Sequence, residues 1–92
     1  MDVFDPAFVP GTGTPKPNGL TPRKLFPLIR RPCAEHKVVG IEVVELLPYL
    51  DPTYRSALMA NRCIREMLTG PAMHKKRMRA PHYLNPFTSG AD

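Results

Sequence analysis

The order of elements in this 92-residue chain predicts an α/β fold with a parallel sheet. Residues 37–44 are β-branched and apolar at nearly every position, which is typical of a strand buried on both faces. Two helical patterns, each opened by a proline, flank this run. Such an alternation with short connections favours right-handed parallel crossovers. The chain is therefore predicted to run loop, helix, strand, helix and tail.

The first helix is predicted to follow a long loop. Residues 5–20 contain four prolines and three glycines, which allow no helix and little strand. A tight loop over residues 10–15 with positive φ at its glycines is one alternative for this stretch. Thr21 is a suitable N-cap, and Pro22 suits the first helical position. Pro27 removes an intrahelical hydrogen bond and predicts a kink, while Pro32 predicts an early end.

The second helix has the clearest sequence signals. Asp51 can cap it, Pro52 fits its first position, and Gly70 is placed to stop it. The apolar periodicity predicts one buried side and one solvated side. The buried side is predicted to hold Ala57, Leu58, Ile64, Met67 and Leu68, and the solvated side Arg55, Arg62, Arg65 and Glu66.

The chain beyond Gly70 is predicted to be an irregular basic tail. Residues 74–79 carry much of the net charge of +5, and prolines interrupt the rest of the tail. We therefore divide the chain into a first region, residues 1–70, and a tail, residues 71–92. The two cysteines match neither a metal-site spacing nor a secreted disulfide framework, so we expect reduced thiols and a cytoplasmic protein. No apolar run approaches the roughly 18 residues of a membrane span.

Two acids near the start, Asp2 and Asp5, are the candidates for metal chemistry. Hard divalent cations such as manganese bind carboxylates and imidazoles, and two bridged ions lower the pKa of a shared water enough to make it a nucleophile. A strand end followed by a loop is where an open α/β sheet presents such ligands. The alternative is a pair of solvated surface acids near a terminus.

The segment from Asp2 to Gly19 resembles a metal-binding signature of the arginase/agmatinase (ureohydrolase) family. The signature reads S-x-D-x-D-x-x-D-P-x-x-x-P-G, with a glycine after seven further residues. Its matches here, in register, are Asp2, Asp5-Pro6, Pro10-Gly11 and Gly19. The resemblance implies that Asp2 is a metal ligand and that the following loop packs under the metals. Thr14 is then placed to support the metal site with its hydroxyl, and Asp5 to bind backbone amides of its Asp-Pro turn.

A second match lies over residues 39–48. The run Val-Gly-Ile-Glu-Val-Val-Glu-Leu-Leu-Pro resembles the family signature G-x-D-V-V-E-V-x-P, whose glutamate binds the substrate guanidinium. The resemblance implies this role for Glu45, and a planar cation does favour a bidentate carboxylate. Glu42 stands where aspartate is usual, one methylene longer. The alternative for Glu45 is a surface acid paired with a nearby arginine.

The resemblance is closest to the agmatinase and guanidinase-like branch. It implies a three-layer α/β/α sandwich, hydrolysis of a guanidino compound to urea and an amine, and homo-oligomers in the cytosol. It also implies two manganese ions, or nickel in guanidine-specific members, held by two histidines and four aspartates. Of these ligands only Asp2 is present. We therefore expect a C-terminal fragment with no assigned catalytic side chain, incomplete as a domain and inactive unless an N-terminal portion complements it.

Two other functions stay open on the sequence. One is a non-enzymatic interaction module or remnant that reuses the helix–strand–helix unit and the basic tail. The other is a small basic protein that associates with nucleic acid through residues 74–79. No recognition helix, aromatic stacking set or zinc knuckle accompanies that run, so no nucleic-acid partner is expected.

Overall fold

The computed structural model describes residues 1–87, and its regular structure is helical. The helices are α1 (Pro22–Glu35), α2 (Arg55–Lys75) and the short α3 (Pro81–Leu84), with a 3₁₀ turn at Pro48–Leu50. Of the predicted tail, residues 88–92 lie outside the described residues. Within residues 1–87, no helix combines the length and apolar character needed to cross a membrane.

Helices α1 and α2 pack along each other in the same direction. Arg30 on α1 binds Glu66 on α2, and four residues further along α1 the Ala34 carbonyl meets His74. The paired residues are separated by 36 and 40 positions, so contacts advance together along both helices. This is the arrangement of parallel neighbours. The connecting segment, residues 36–54, therefore returns from the end of α1 to the start of α2.

The predicted strand over residues 37–44 is wrong for the described chain. Residues 37–47 form neither helix nor strand, and Val39 is 91% exposed. Within residues 1–87, the β-type pairing is a single parallel bridge between Phe4 and Leu20. A strand needs a neighbour to satisfy its backbone, and these residues provide none beside the apolar run. The predicted parallel sheet is accordingly absent from the described residues.

Helix α1 begins as predicted but does not end early. The Thr21 hydroxyl accepts a hydrogen bond from the Lys24 amide at 3.3 Å, and Pro22 occupies the first turn. Pro32 lacks an amide hydrogen, yet its carbonyl accepts the His36 amide at 3.0 Å, so the last turn still closes. The helix consequently runs to Glu35, past the predicted stop.

Helix α2 differs from its prediction at both ends. It begins at Arg55, because Pro52 lies in the turn before it, although Asp51 does accept the Ser56 amide at 2.7 Å. Gly70 does not stop it. A Cβ at Gly70 would lie 2.9 Å from the Arg30 carbonyl oxygen, so this glycine permits close contact with α1. The helix continues to Lys75, and the tail is less irregular than predicted.

The buried face of α2 is also rotated from the predicted one. Leu58, Ile64 and Leu68 are exposed, whereas Glu66 is 1% exposed. The residues that face inward are mostly small or paired: Ser56, Ala60, Cys63, Glu66, Gly70 and Met73. Small side chains let the helices approach closely, and the arginine on α1 neutralises the buried acid. These two effects override the apolar periodicity.

The core joins the N-terminal loop to the helix pair. Phe4 and Val9 from the loop pack with Phe26 of α1 and Cys63 of α2, all nearly inaccessible to solvent. Cys33 and Cys63 are free thiols, and burial raises the pKa of both. The loop that carries the candidate site is therefore fixed to both helices by apolar packing.

Candidate functional site

The Asp2 carboxylate has one oxygen engaged and one available. Its Oδ2 accepts a hydrogen bond from the Thr14 hydroxyl at 2.7 Å. Its Oδ1 is buried and has no hydrogen-bond partner among residues 1–87. A buried carboxylate oxygen without a partner is costly in a folded protein and calls for a ligand. Asp2 thus combines one carboxylate oxygen held by Thr14 with one buried oxygen that no described residue engages.

Both carboxylate oxygens of Asp5 accept hydrogen bonds from the backbone of the loop. Its Oδ1 accepts the Ala7 amide and its Oδ2 the Asn18 amide, each at 2.8 Å. Hydrogen bonding from Ala7, then from Asn18, lowers the pKa of Asp5 below its usual value against the opposing effect of desolvation. Asn18 has φ of 66°, the left-handed region that asparagine tolerates. Asp5 therefore closes the loop from residue 5 to residue 18.

Two glycines of this loop, Gly11 and Gly19, are needed for close approach. None of the described glycines has positive φ, so the alternative of positive φ at the loop glycines is wrong. A Cβ at Gly11 would lie 2.9 Å from the Ser56 hydroxyl, and one at Gly19 would lie 2.6 Å from the Asp5 amide nitrogen. The Gly11 amide donates to that hydroxyl at 2.8 Å, and its carbonyl accepts the Leu47 amide at 2.8 Å.

The start of α2 anchors the loop, which the sequence did not indicate. Ser56 is fully buried beneath Gly11, and Asp51 holds the turn before it through the Thr53 and Ser56 amides. Hydrogen bonds from Thr53, then from Ser56, place the pKa of Asp51 far below its usual value. The Asp-Pro signal identified the cap, but no pattern pointed to Ser56 as the support for Gly11.

The segment that carries Glu45 meets the segment that carries Asp2. The Met1 ammonium donates to the Val44 carbonyl at 2.8 Å, which brings the two segments together. A Cβ at Gly13 would lie 3.8 Å from Glu45 Oε2, and Gly13 directly precedes Thr14. We call Asp2, Thr14 and Glu45 the carboxylate edge.

Glu45 has an unusual backbone conformation and makes no ion pair among residues 1–87. Its φ is 65°, which costs a non-glycine residue about 1–2 kcal/mol and recurs at functional positions. The ion pairs within residues 1–87 involve Glu35 and Glu66. Glu45 is exposed and makes none of them, so the alternative of an acid paired with a nearby arginine finds no support.

The carboxylate edge brings few potential metal ligands together. Among residues 1–87, no three His, Cys, Asp or Glu side chains gather so as to hold an ion. Asp2 Oδ1 is the buried carboxylate oxygen of this edge that has no partner among the described residues. Thr12, in the same loop, adds a hydroxyl that is 3% exposed and unpaired among the described residues. Sequence reasoning missed Thr12, because no spacing rule distinguishes it from Thr14.

Comparison with known proteins gives a consistent family. The model of the Arginase family matches residues 1–70. An agmatinase of Halalkalibacterium halodurans is 37% identical over 71 residues, which is 76% of this chain and 25% of that protein. The mitochondrial guanidino acid hydrolase of Rattus norvegicus is 44% identical over 68 residues, 74% of this chain and 19% of that protein.

A third relative is named as an amidinohydrolase. The proclavaminate amidinohydrolase of Streptomyces clavuligerus is 42% identical over 69 residues, 74% of this chain and 21% of that protein. The chain thus spans a quarter or less of the length of these curated relatives.

Proposed function

The chain belongs to the arginase family, and we propose that it supplies one metal ligand and the guanidinium-binding glutamate of a guanidino-compound hydrolase. The products would be urea and an amine, and the substrate an agmatine-like compound. The observation that carries the proposal is the carboxylate edge. There Asp2 presents a buried, unpaired oxygen, and Glu45 presents a carboxylate with no ion pair among the described residues.

Each residue of the edge has a distinct role in this proposal. Asp2 Oδ1 would contact a divalent cation, manganese or, in a guanidine-specific enzyme, nickel, while Thr14 fixes the orientation of that carboxylate. The metal pair of the family would supply a hydroxide nucleophile when bound. Glu45 would bind the planar guanidinium through two charge-assisted hydrogen bonds. Asp5 would act indirectly, by holding the loop.

The 92-residue chain by itself is proposed to be inactive. A hard dication needs several oxygen or imidazole ligands held together, and among the described residues the edge offers the single aspartate. The other ligands, and the strands that would make residues 37–44 part of an α/β/α sandwich, would come from residues outside this sequence. We further propose assembly into cytoplasmic homo-oligomers.

A chimera tests the proposal directly. Residues 1–70 would replace the matching region of the Halalkalibacterium halodurans agmatinase, and urea release from agmatine would be measured. The expected result is metal-dependent urea release by the chimera. The 92-residue chain alone should release none and should bind manganese no better than about millimolar by calorimetry. Micromolar manganese binding with turnover by that chain would contradict the assignment of Asp2 as its single ligand.

Two substitutions in the chimera separate the roles of the edge. Glu45→Gln should lower turnover about 100-fold with unchanged metal content, because it removes the charge that pairs with guanidinium. Asp2→Asn should lower metal content as well as turnover, since it removes an anionic ligand. Metal content is measured by mass spectrometry of the purified protein. Equal loss of metal in both variants, or near-normal turnover by the Glu45 variant, would reject these assignments.

A further inference from the structure

The last part of the described chain runs along α1 in the opposite direction. The Arg79 guanidinium donates to the Ala34 carbonyl, and the Tyr83 carbonyl accepts from Arg30 at 3.3 Å. The Phe87 ring then stacks on Phe26, with centroids 5.9 Å apart. The three contact residues of this segment are four positions apart, and their partners on α1 are also four positions apart but in the reverse order. The contacts therefore form one continuous docking rather than separate encounters.

We call these three contacts anchors. The first two provide hydrogen-bond partners for groups of α1 that lack them within the helix. Ala34 lies in the last turn of α1, where carbonyls lack intrahelical partners, and it also meets His74 Nδ1 at 2.9 Å. Arg30 gives Nε and Nη2 to Glu66 and Nη1 to the Tyr83 carbonyl. One guanidinium thus ties the segment, α1 and α2 together.

The third anchor is aromatic and extends to the loop. The Arg23 guanidinium carbon lies 4.8 Å from the Phe87 ring centroid, on the same ring that stacks on Phe26. A pocket of about 440 Å³ there is bordered by Phe87, by the start of α1 and by Phe8 of the N-terminal loop. Stacking and cation–π contacts of this kind are additive to apolar burial.

A turn separates the segment from α2. Arg77 has φ of 57°, and the Met78 amide donates to the Met73 carbonyl at 2.9 Å, so the chain reverses immediately after α2. These residues lie beyond residues 1–70, the part that matches the family model.

We propose that residues 78–87 are an intramolecular strap that locks α1 onto α2 and covers Phe26. The strap detaches as a unit about the turn at Arg77, because its anchors lie in register on one helix. The inference does not depend on the proposed enzymatic function.

Limited trypsin digestion of the full chain tests the strap. Cleavage after Arg79 requires the strap to detach, whereas cleavage after Lys37, in the irregular connecting segment, does not and serves as an internal reference. Site-specific rates are measured by mass spectrometry. Cleavage after Arg79 should be about tenfold slower than after Lys37 in the unsubstituted chain. Equal rates at the two sites would overturn the proposal.

Substitutions at two aromatic residues of the strap sharpen the test. Phe87→Ala should raise the Arg79-to-Lys37 rate ratio about tenfold, and Phe87→Tyr, which keeps the ring, should leave it near the original value. Tyr83→Ala is the matched control, because the Tyr83 ring packs at a tilt against His82 while its carbonyl makes the contact with α1. An unchanged ratio in Phe87→Ala, or an equal rise in Tyr83→Ala, would show that Phe87 does not anchor a strap.

Discussion

The helix pair and the connecting segment differ in where their interactions lie. Helices α1 and α2 provide each other's main contacts. Arg30 of α1 forms an ion pair with Glu66 of α2, and Gly70 of α2 leaves room for the backbone of α1. The connecting segment instead exposes its apolar residues and holds Glu45 in a left-handed conformation. The packing of the helix pair is explained by contacts between residues of the described chain. The connecting segment meets the loop and α2 through hydrogen bonds, but its apolar run has no neighbouring strand among the described residues.

The largest expected effect is on the buried ion pair that joins the helices. Glu66→Ala leaves the Arg30 and Arg62 guanidinium groups without their carboxylate, and removing one partner of a buried pair costs about 3–5 kcal/mol. The matched control is Glu35→Ala, which breaks the exposed pair with Arg31 and should cost less than about 0.5 kcal/mol. Urea unfolding followed by circular dichroism measures both. Similar losses in the two variants would remove the distinction between the helix pair and its surroundings.

Two glycine substitutions test whether side-chain packing is tighter in the helix pair than in the connecting segment. Gly70→Val should cost about 2–3 kcal/mol, because a Cβ there would lie 2.9 Å from the Arg30 carbonyl oxygen and overpacking outweighs the gain in helix propensity. Gly40, in the connecting segment, has nothing within 4 Å of its Cβ position. Gly40→Val should therefore change the free energy of unfolding by less than about 0.5 kcal/mol. Equal destabilisation by the two substitutions would mean that the helices do not meet at Gly70.

These two glycines also show what the sequence can and cannot predict. Gly70 has the position of a helix stop and Gly40 that of a strand glycine, yet neither interpretation holds in the described chain. A terminating glycine and a contact glycine look alike in sequence, and only the neighbouring helix distinguishes them. The buried Glu66 was missed for the same reason, since its partner Arg30 lies 36 residues away.

Locally determined features were predictable. The Thr21 cap, the loop over residues 5–20 and the Asp5 turn depend on hydrogen bonds made within a few residues or on proline and glycine content. Asp2 and Glu45 were proposed as site residues from two signatures of the family, while Ser56, which supports Gly11 from 45 residues away, had no signal. Caps and turns depend on residues that are adjacent in sequence, whereas a strand depends on partner strands that can be far away in sequence.

The junction between the two regions should be sensitive to acid. Asp51 is buried, and hydrogen bonds from Thr53 and Ser56 hold its folded-state pKa below the unfolded value of about 4. Its contribution to stability is therefore complete above about pH 4 and declines as the pH falls further. The midpoint of urea unfolding should decrease below pH 4, and the Asp51→Asn variant should show a smaller decrease. An identical pH profile in both proteins would assign the acid sensitivity to other carboxylates.

The smallest expected effect in the isolated chain concerns the connecting segment itself. Val39 is 91% exposed, so Val39→Lys should change the free energy of unfolding of the 92-residue chain by less than about 0.5 kcal/mol. In the agmatinase chimera, if the remainder supplies neighbouring strands as proposed, the same residue would face a covered sheet. An unpaired charge buried there would cost several kcal/mol, so the chimera should lose solubility or melt at least about 5 °C lower. Val39→Thr, which keeps β-branching, should be tolerated better in the chimera than the lysine. Thermal melts of both variants in both contexts decide the point: a lysine tolerated equally in the chain and in the chimera would show that residues 37–44 do not become a buried strand.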